Sequence, residues 1–234
     1  MTLRPKRLYL ARRNPSLTRE GFPERWMRHG ALSASFQAQQ GFANIFRYLL
    51  CPALPGPSGE AAEDGPDGIG MLFFRDEAAR DRHHASAAQR AAMEADEDAT
   101  FAERVNRTSL FAVEQVALDG PLTPFLAVTV LRRRPAVSAP DFAAWWSEAH
   151  APTVLRAAPA LRRLVGNWPM PDGHGELQAD CIEELWFASR EEMRRTLAAA
   201  AFAATREALM RRCDVATRLE CEVRVLHDAD PEPA

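Results

Sequence analysis

The sequence repeats itself once, and this repeat constrains the fold more than any other feature. Residues 6–12 and residues 125–132 each read as a short strand that leads through a turn into a helical segment. That segment is Phe22–His29 in the first half and Phe142–His150 in the second, and both contain Phe, Trp and His in the same order. Two segments that share such a pattern are expected to form the same supersecondary unit.

Each half continues with a second strand, a third strand, a helix and a closing strand. The resulting order, β-α-β-β-α-β, is that of a ferredoxin-like α+β unit. The sequence therefore predicts two such repeats, residues 1–119 and residues 125–228, joined by a segment of turn-forming residues. The predicted second, third and closing strands are residues 45–48, 67–74 and 109–118 in the first half and residues 161–165, 180–187 and 218–226 in the second.

The third strand of each repeat is apolar on both of its faces, as in Ile69–Phe74 and in Ile182–Phe187. A strand of this kind is expected to be covered on both sides. Helices can cover one side, and the other repeat, tethered to the same chain, is the nearest cover for the other. We therefore expect the two sheets to pack face to face as an intrachain α/β barrel. A homodimer of such chains remains open.

Local signals add detail to this scheme. Ser138 and Ser189 stand where N-caps are expected. Pro152 follows His150 by two residues, so the helix either opens at this point or changes course. Residues 51–68 are rich in Pro and Gly and predict an irregular insertion that is either a lid or a surface loop. The tail after residue 228 is expected to fray.

The two histidines are the first candidates for chemistry. His29 lies within, and His150 at the edge of, the apolar stripe of its predicted helix, and Phe142, Trp145, Trp146 and Ala149 form the second stripe. An imidazole held among aromatic rings has a tunable pKa and suits a general acid or base. A core histidine bonded to a backbone carbonyl is the alternative.

Carboxylates follow on the third strand of the second half. Glu183 and Glu184 are adjacent, so they point to opposite faces, and at least one should be buried with a partner. Either could pair with His150, and either could instead bind an arginine for structural reasons. The matching positions of the first half, Gly70 and Met71, have no carboxylate, which predicts a full acid–base pair in the second half only.

Composition and missing motifs exclude several classes of function. The net charge of −3 gives no field for nucleic acid, and no apolar run is long enough to span a membrane. Four cysteines without CxxC spacing fit a cytoplasmic protein. There is no Gly-rich nucleotide loop, no HExxH and no GxSxG, and His83 and His84 read as a solvated pair. We therefore expect no metal and no cofactor.

The motifs Phe142…Trp146…His150-Ala151-Pro152 and Asp180–Phe187 resemble the EthD-like family of dimeric α+β barrel proteins, and Phe22…Trp26…His29 with residues 96–101 looks like a second copy. The resemblance implies a barrel that two subunits normally form, here fused into one chain. It also implies pockets between sheet and helices, with His29 and His150 as the helix histidine and Glu184 as the strand carboxylate.

Three functions follow from these expectations. The first is a cofactor-free lyase or isomerase, of the dehydratase or cyclase type, acting on a small hydrophobic and aromatic or terpenoid-like metabolite. The second is a cofactor-independent oxygenase acting on an electron-rich phenol, and the third is a non-catalytic small-molecule binder. His150, Glu184, Glu183 and His29 are the candidate catalytic residues. The candidate substrate-binding residues are Trp145, Trp146, Asn167, Trp168, Trp186, Trp26, Tyr48 and Arg47.

Overall fold

The computed structural model describes residues 5–55, 65–82, 86–170 and 175–229, and these residues form an α+β fold of helices and antiparallel strands. The chain divides into two compact units. The first unit comprises the described residues of Met1–Val113, Met170–Leu177 and Val223–Ala234, and the second comprises Glu114–Pro169 and Gln178–Glu222. The first unit is therefore assembled from three separate stretches of sequence.

Strands and helices follow one another along both halves of the described chain. In the first half they are β1 (Pro5–Ala11), α1 (Phe22–Ala38), β2 (Ile45–Pro52), β3 (Gly68–Phe74), α2 (Glu77–Arg82), α3 (Ala87–Thr100), a 3₁₀ turn (Val105–Thr108) and β4 (Ser109–Leu118). In the second half they are β5 (Phe125–Arg133), α4 (Ala139–Trp145), a π turn (Trp146–His150), α5 (Ala151–Ala157), β6 (Leu161–Pro169), β7 (Cys181–Phe187), α6 (Arg190–Ala198), α7 (Ala200–Met210), β8 (Cys213–Glu222) and β9 (Arg224–Asp228).

The first unit contains an antiparallel sheet in the order β4-β1-β3-β2-β9. One face of this sheet carries an aromatic core. The ring of Trp26 on α1 stacks on Phe22 with centroids 5.4 Å apart, and Tyr9 and Phe101 meet Trp26 edge to face. These buried rings fix α1 against the sheet, because aromatic pairs contribute packing energy beyond the area that they bury.

The second unit contains an antiparallel sheet in the order β8-β5-β7-β6. Its helices begin at the predicted caps, since the Ser138 and Ser189 hydroxyls accept hydrogen bonds from the backbone N–H of Asp141 and Glu192. Phe142 on α4 packs in a buried cluster with Leu131, Cys181, Leu209 and Cys213. The four cysteines of the chain are buried thiols.

Several boundaries differ from the sequence prediction. The predicted closing strand 218–226 is two strands, β8 and β9, which are interrupted at Val223, and β9 pairs with β2 of the first unit. Strand β2 continues through Cys51 and Pro52, so the irregular insertion begins later than predicted. Ala149, placed in the apolar stripe by its spacing, is exposed because the π turn rotates it outward.

Parts of other predictions lie outside the described residues. These are most of the insertion (residues 56–64), the pair His83-His84, and the tail from residue 230. Among the helices that the structure describes, none has both the length and the apolar character needed to cross a lipid bilayer.

Candidate functional site

The helix that carries His150 changes its hydrogen bonding over one turn. Between α4 and α5, residues Trp146–His150 form a π turn, in which the N–H of Ala151 bonds the carbonyl of Trp146, five residues earlier. Pro152 has no N–H for the carbonyl of Glu148, so the regular α-helical pattern fails here for a local chemical reason. Single π turns inside α-helices occur frequently at functional sites.

The π turn also accounts for a difference in spacing between the two halves. Trp26 and His29 are three residues apart, whereas Trp146 and His150 are four apart. A π turn accommodates one more residue than an α-helical turn does. Both His150 and His29 are buried, with 4% and 3% of their surfaces exposed.

His150 forms a buried pair with a carboxylate of β7. Its Nε2 lies 2.9 Å from Oε2 of Glu183, and the same oxygen accepts a hydrogen bond of 2.9 Å from the indole N–H of Trp146. Burial alone would raise the pKa of Glu183. The pKa is nevertheless lowered, because the charge and hydrogen bond of His150, the Trp146 bond and Arg218 outweigh burial. Glu183 is therefore a carboxylate, and Nε2 of His150 carries a proton.

Aromatic rings surround this pair. The half-buried Trp145 lies over the His150 ring, with the two ring centroids 5.1 Å apart. Trp145 also contacts the ring of Phe142 and the guanidinium of Arg212. Trp168, also half-buried, meets Trp146 edge to face at 5.8 Å. The indole nitrogen of Trp168 is buried and has no hydrogen-bond partner within the described chain. A buried donor in this condition is costly unless a ligand or water satisfies it.

Glu184 lies on the opposite face of β7 and does not contact His150. Its carboxylate accepts hydrogen bonds from the side-chain amide of Asn167 at 2.8 Å and from the indole N–H of Trp186 at 3.1 Å. All three residues are fully buried. Of the two carboxylates that the sequence left open as partners of His150, the structure brings Glu183 to it. Asn167, Trp186 and Glu184 form a separate polar cluster.

His29 in the first unit also has a carboxylate partner, which the sequence analysis missed. Its Nδ1 lies 2.7 Å from Asp96 on α3, and Asp96 forms an ion pair of 2.6 Å with Arg25. This partner comes from a helix rather than from the third strand. The prediction that only the second half would have a histidine paired with a carboxylate is therefore wrong. The pKa of His29 is lowered mainly by burial, which Asp96 offsets only in part.

The indole N–H groups of Trp26 and Trp146 donate to different kinds of acceptor. Trp26 donates to the hydroxyl of Tyr9 at 3.0 Å, and this hydroxyl lies 3.5 Å from that of Tyr48. Gly70 pairs with Tyr9 across the sheet, and a Cβ at Gly70 would lie 2.1 Å from the tyrosine ring. Thr129 pairs with Glu183 at the matching positions of the second unit. The first unit therefore has Tyr9 and Gly70 where the second unit has Thr129 and Glu183. Each pair supplies one acceptor for the buried indole N–H of the helix tryptophan.

The remaining predicted residue, Arg47, lies on β2 and binds Asp228 of β9 at 2.8 Å. Its guanidinium also lies over the ring of Phe73, 5.5 Å from the centroid. Arg47 thus joins β2 to β9 and is not part of the group formed by His29, Asp96 and Arg25. Among the residues that the structure describes, no three His, Cys, Asp or Glu side chains are grouped as a metal site would require.

Comparison with known proteins agrees with the repeated motifs. The profile of the EthD domain matches residues 14–104 and 134–210. The chain belongs to the EthD domain family. The EthD profile thus covers both segments with the Phe, Trp and His pattern, including His29–Asp96 and the π turn with His150. The comparison with curated proteins found no match.

Solved structures share the fold of this EthD protein at low sequence identity. A candidate monooxygenase from Fusobacterium nucleatum subsp. nucleatum is 11% identical, with 96% of this chain and 93% of that chain covered and a TM-score of 0.59. An anthrone oxidase-like protein is 12% identical (97% and 92% covered, TM-score 0.56), and a candidate chlorite dismutase is 9% identical (96% and 96% covered, TM-score 0.59). At such identities the likeness establishes the fold and leaves the reaction open.

The acceptor for Trp26 gives a stability prediction for the first unit. Tyr9→Phe should lower the free energy of unfolding by about 1–3 kcal/mol, because it leaves the buried indole N–H without its acceptor. Tyr48→Phe makes the same chemical change next to it and should cost less, since the Tyr48 hydroxyl is not the acceptor for Trp26. Urea unfolding of both variants measures the difference. Equal losses would show that the Trp26–Tyr9 hydrogen bond is not what stabilises this cluster.

Proposed function

We propose that this protein is a cofactor-free acid–base enzyme, a lyase or isomerase of the dehydratase or cyclase type, acting on a small hydrophobic metabolite. The observation that carries the proposal is the buried pair of His150 and Glu183 at the π turn. A buried imidazole oriented by a carboxylate is a recurrent arrangement for moving a proton at neutral pH. Membership of the EthD family, with candidate enzymes among its structural neighbours, supports a catalytic role.

The proposed reaction gives each nitrogen of His150 a role. In the neutral form of the ring Glu183 would hold the proton on Nε2, and the lone pair of Nδ1 would take a proton from the substrate. In an isomerisation the same nitrogen would return that proton to another substrate atom. In a dehydration it would deliver it to the departing hydroxyl group. Glu183 stabilises the imidazolium formed in between, and Trp146 fixes the Glu183 carboxylate.

Two half-buried tryptophans are the proposed walls of the substrate site. Trp145 lies over the His150 ring and offers an apolar surface to an aromatic or terpenoid-like substrate. The indole N–H of Trp168, which has no partner among the described residues, would donate a hydrogen bond to a substrate oxygen. Asn167, Trp186 and Glu184, on the other face of β7, are not used in this proposal. Nor are Trp26, Tyr48 and His29 of the first unit.

The architecture behind this site is part of the same proposal. The strand orders β4-β1-β3-β2 and β8-β5-β7-β6 correspond element by element, which supports two ferredoxin-like repeats at residues 1–119 and 125–228. Whether their sheets shield one another as a barrel within one chain, or within a homodimer, stays a prediction. In this arrangement the second repeat would hold the catalytic acid–base pair, His150 with Glu183.

The test is turnover of a panel of hydroxylated aromatic and terpenoid metabolites, followed by mass spectrometry under nitrogen and under air. A lyase or isomerase should form its product equally under both atmospheres, with a loss of 18 Da for a dehydration and no mass change for an isomerisation. Product that forms only in air, or no turnover of any substrate that binds, would contradict the proposal.

The oxygenase is the second candidate, because two structural neighbours are described as a candidate monooxygenase and an anthrone oxidase-like protein. In this reaction His150 would deprotonate a phenol, and the electron-rich phenolate would react with oxygen directly. Oxygen consumption in step with loss of a phenol, together with no product under nitrogen, would favour this candidate over the first. Tight binding without turnover would instead indicate the non-catalytic binder.

A further inference from the structure

The first unit contains a cavity of about 560 Å³ that the proposed reaction does not use. Residues of β1, α2, α3, the 3₁₀ turn and β4 line it, and all belong to the first unit. This volume lies within the range of sites that bind small organic molecules, about 300–1,000 Å³. The lining residues on which the argument depends are Arg7, Arg80, Met93, Glu97, Arg104 and Phe111.

Arg7 is the unusual member of this lining. Only 9% of its surface is exposed, and its Nε donates a hydrogen bond of 2.9 Å to the hydroxyl of Ser109. Within the described chain this is the one hydrogen bond of the Arg7 side chain, and the guanidinium forms no ion pair there. The two terminal nitrogens of a guanidinium form a planar fork that suits a carboxylate. A buried charge without a directly bonded counter-ion is unfavourable, and an anionic ligand would reduce that cost.

Two of the other three cations of the cavity already have partners, and the third, Arg90, is exposed to solvent. Arg80 binds Asp81 at 2.8 Å, and Arg104 binds Asp98 at 2.9 Å. Glu97 also lines the cavity; burial raises its pKa, and its charge acts on Arg7 through space without a hydrogen bond between the two side chains. Arg7 is therefore the buried cation of the lining for which the described chain supplies no ion pair.

The wall beside Arg7 is apolar. The guanidinium lies 5.5 Å from the ring centroid of Phe111, and Met93 of α3, which is 8% exposed, completes this side. Phosphate or another fully hydrated ion would gain little from such surfaces. A flat apolar body attached to a carboxylate would bury its surface against them and place its charge at the fork.

We propose that this cavity binds a small monocarboxylate with an aromatic or alicyclic body, which pairs with Arg7 and packs on Phe111 and Met93. The carboxylate replaces the hydration of the guanidinium with two parallel charge-assisted hydrogen bonds. The site belongs to the first unit and requires neither His150 nor Glu183. It therefore adds a second ligand to the molecule, and its existence does not depend on the proposed reaction.

Isothermal titration calorimetry of the full chain with 2-naphthoate tests this inference. We expect one binding site per chain, and at least about tenfold weaker binding of the neutral isostere 2-naphthamide. Arg7→Met should weaken naphthoate binding at least about tenfold by removing the fork. Met93→Trp should do the same by filling the cavity while leaving Arg7 in place. Inorganic phosphate at equal concentration should not displace the naphthoate.

Arg28→Met is the matched control, because it removes an exposed arginine of α1 that pairs with Glu24 on the surface. It should bind naphthoate as the unaltered protein does, and so should His150→Ala, which separates this test from that of the reaction. Absence of naphthoate binding at millimolar concentration would overturn the inference. So would equal binding of naphthoate and naphthamide, displacement by phosphate, or unchanged affinity in both cavity variants.

Discussion

His150→Ala should lower turnover by about 100-fold or more while the protein remains folded. General acid–base groups contribute about 10²–10⁴-fold to rate, and in the proposed reaction His150 moves every proton. The fold should survive because Glu183 keeps the hydrogen bond from the indole of Trp146. Steady-state kinetics on the substrate found in the panel measures the loss, and thermal unfolding by circular dichroism checks the fold.

Two further measurements separate a catalytic role from a structural one. Added imidazole should partly restore the rate of His150→Ala, because a small base can enter the space left by the side chain. His29→Ala removes the equivalent residue of the first unit, which pairs with Asp96, and should retain nearly the full rate. A full rate in His150→Ala would remove His150 from the mechanism, and a large loss in His29→Ala alone would move the chemistry to the first unit.

Trp146→Ala should produce the largest loss of stability among the aromatic residues of the second unit. Deleting a fully buried tryptophan costs about 3–5 kcal/mol, since the cavity collapses only in part. Trp146 is completely buried, meets Trp168 edge to face and donates to Glu183. Its ring also lies against Gly166, where an added Cβ would be 3.0 Å from it. Denaturant unfolding followed by circular dichroism measures the change.

Trp145→Ala is the matched control, because it deletes the same side chain one residue earlier on the same helix. Trp145 is half-buried and lies between the rings of Phe142 and His150, so its loss should cost clearly less stability. In the proposed reaction it should instead raise KM, since Trp145 is a wall of the substrate site. Equal destabilisation by the two variants would contradict the packing described for Trp146.

The strands, the caps and the burial of both histidines could be predicted because they depend on local patterns. Ser138 caps its helix through its own hydroxyl, and the Phe, Trp and His spacing places one face of a helix toward a sheet. The position of Pro152 also indicated that the helix could open, although it did not show that a π turn would form. Such features require only the few residues next to them.

The partners of the histidines could not be predicted in the same way, because they depend on tertiary packing. The residue pattern left Glu183 and Glu184 open and the family resemblance pointed to Glu184, whereas the face of β7 that meets the helix brings Glu183 to His150. Asp96 lies far along the chain from His29, on a helix whose docking angle the sequence does not specify. The role of Tyr9 as acceptor for Trp26 was missed for a related reason. Tyr9 is seen to occupy the space beside Gly70 only when β1 and β3 are paired.

The position of β9 affects how the protein can be synthesised. This strand pairs with β2, but β4, which pairs with β1 in the same sheet, is complete about 100 residues before β9 begins. At about 5–20 residues per second, a ribosome needs roughly 5–20 s to add the intervening residues. During that time the backbone edge of β2 is unpaired and open to other nascent chains, so chaperones that cover exposed strand edges should raise the yield of folded protein.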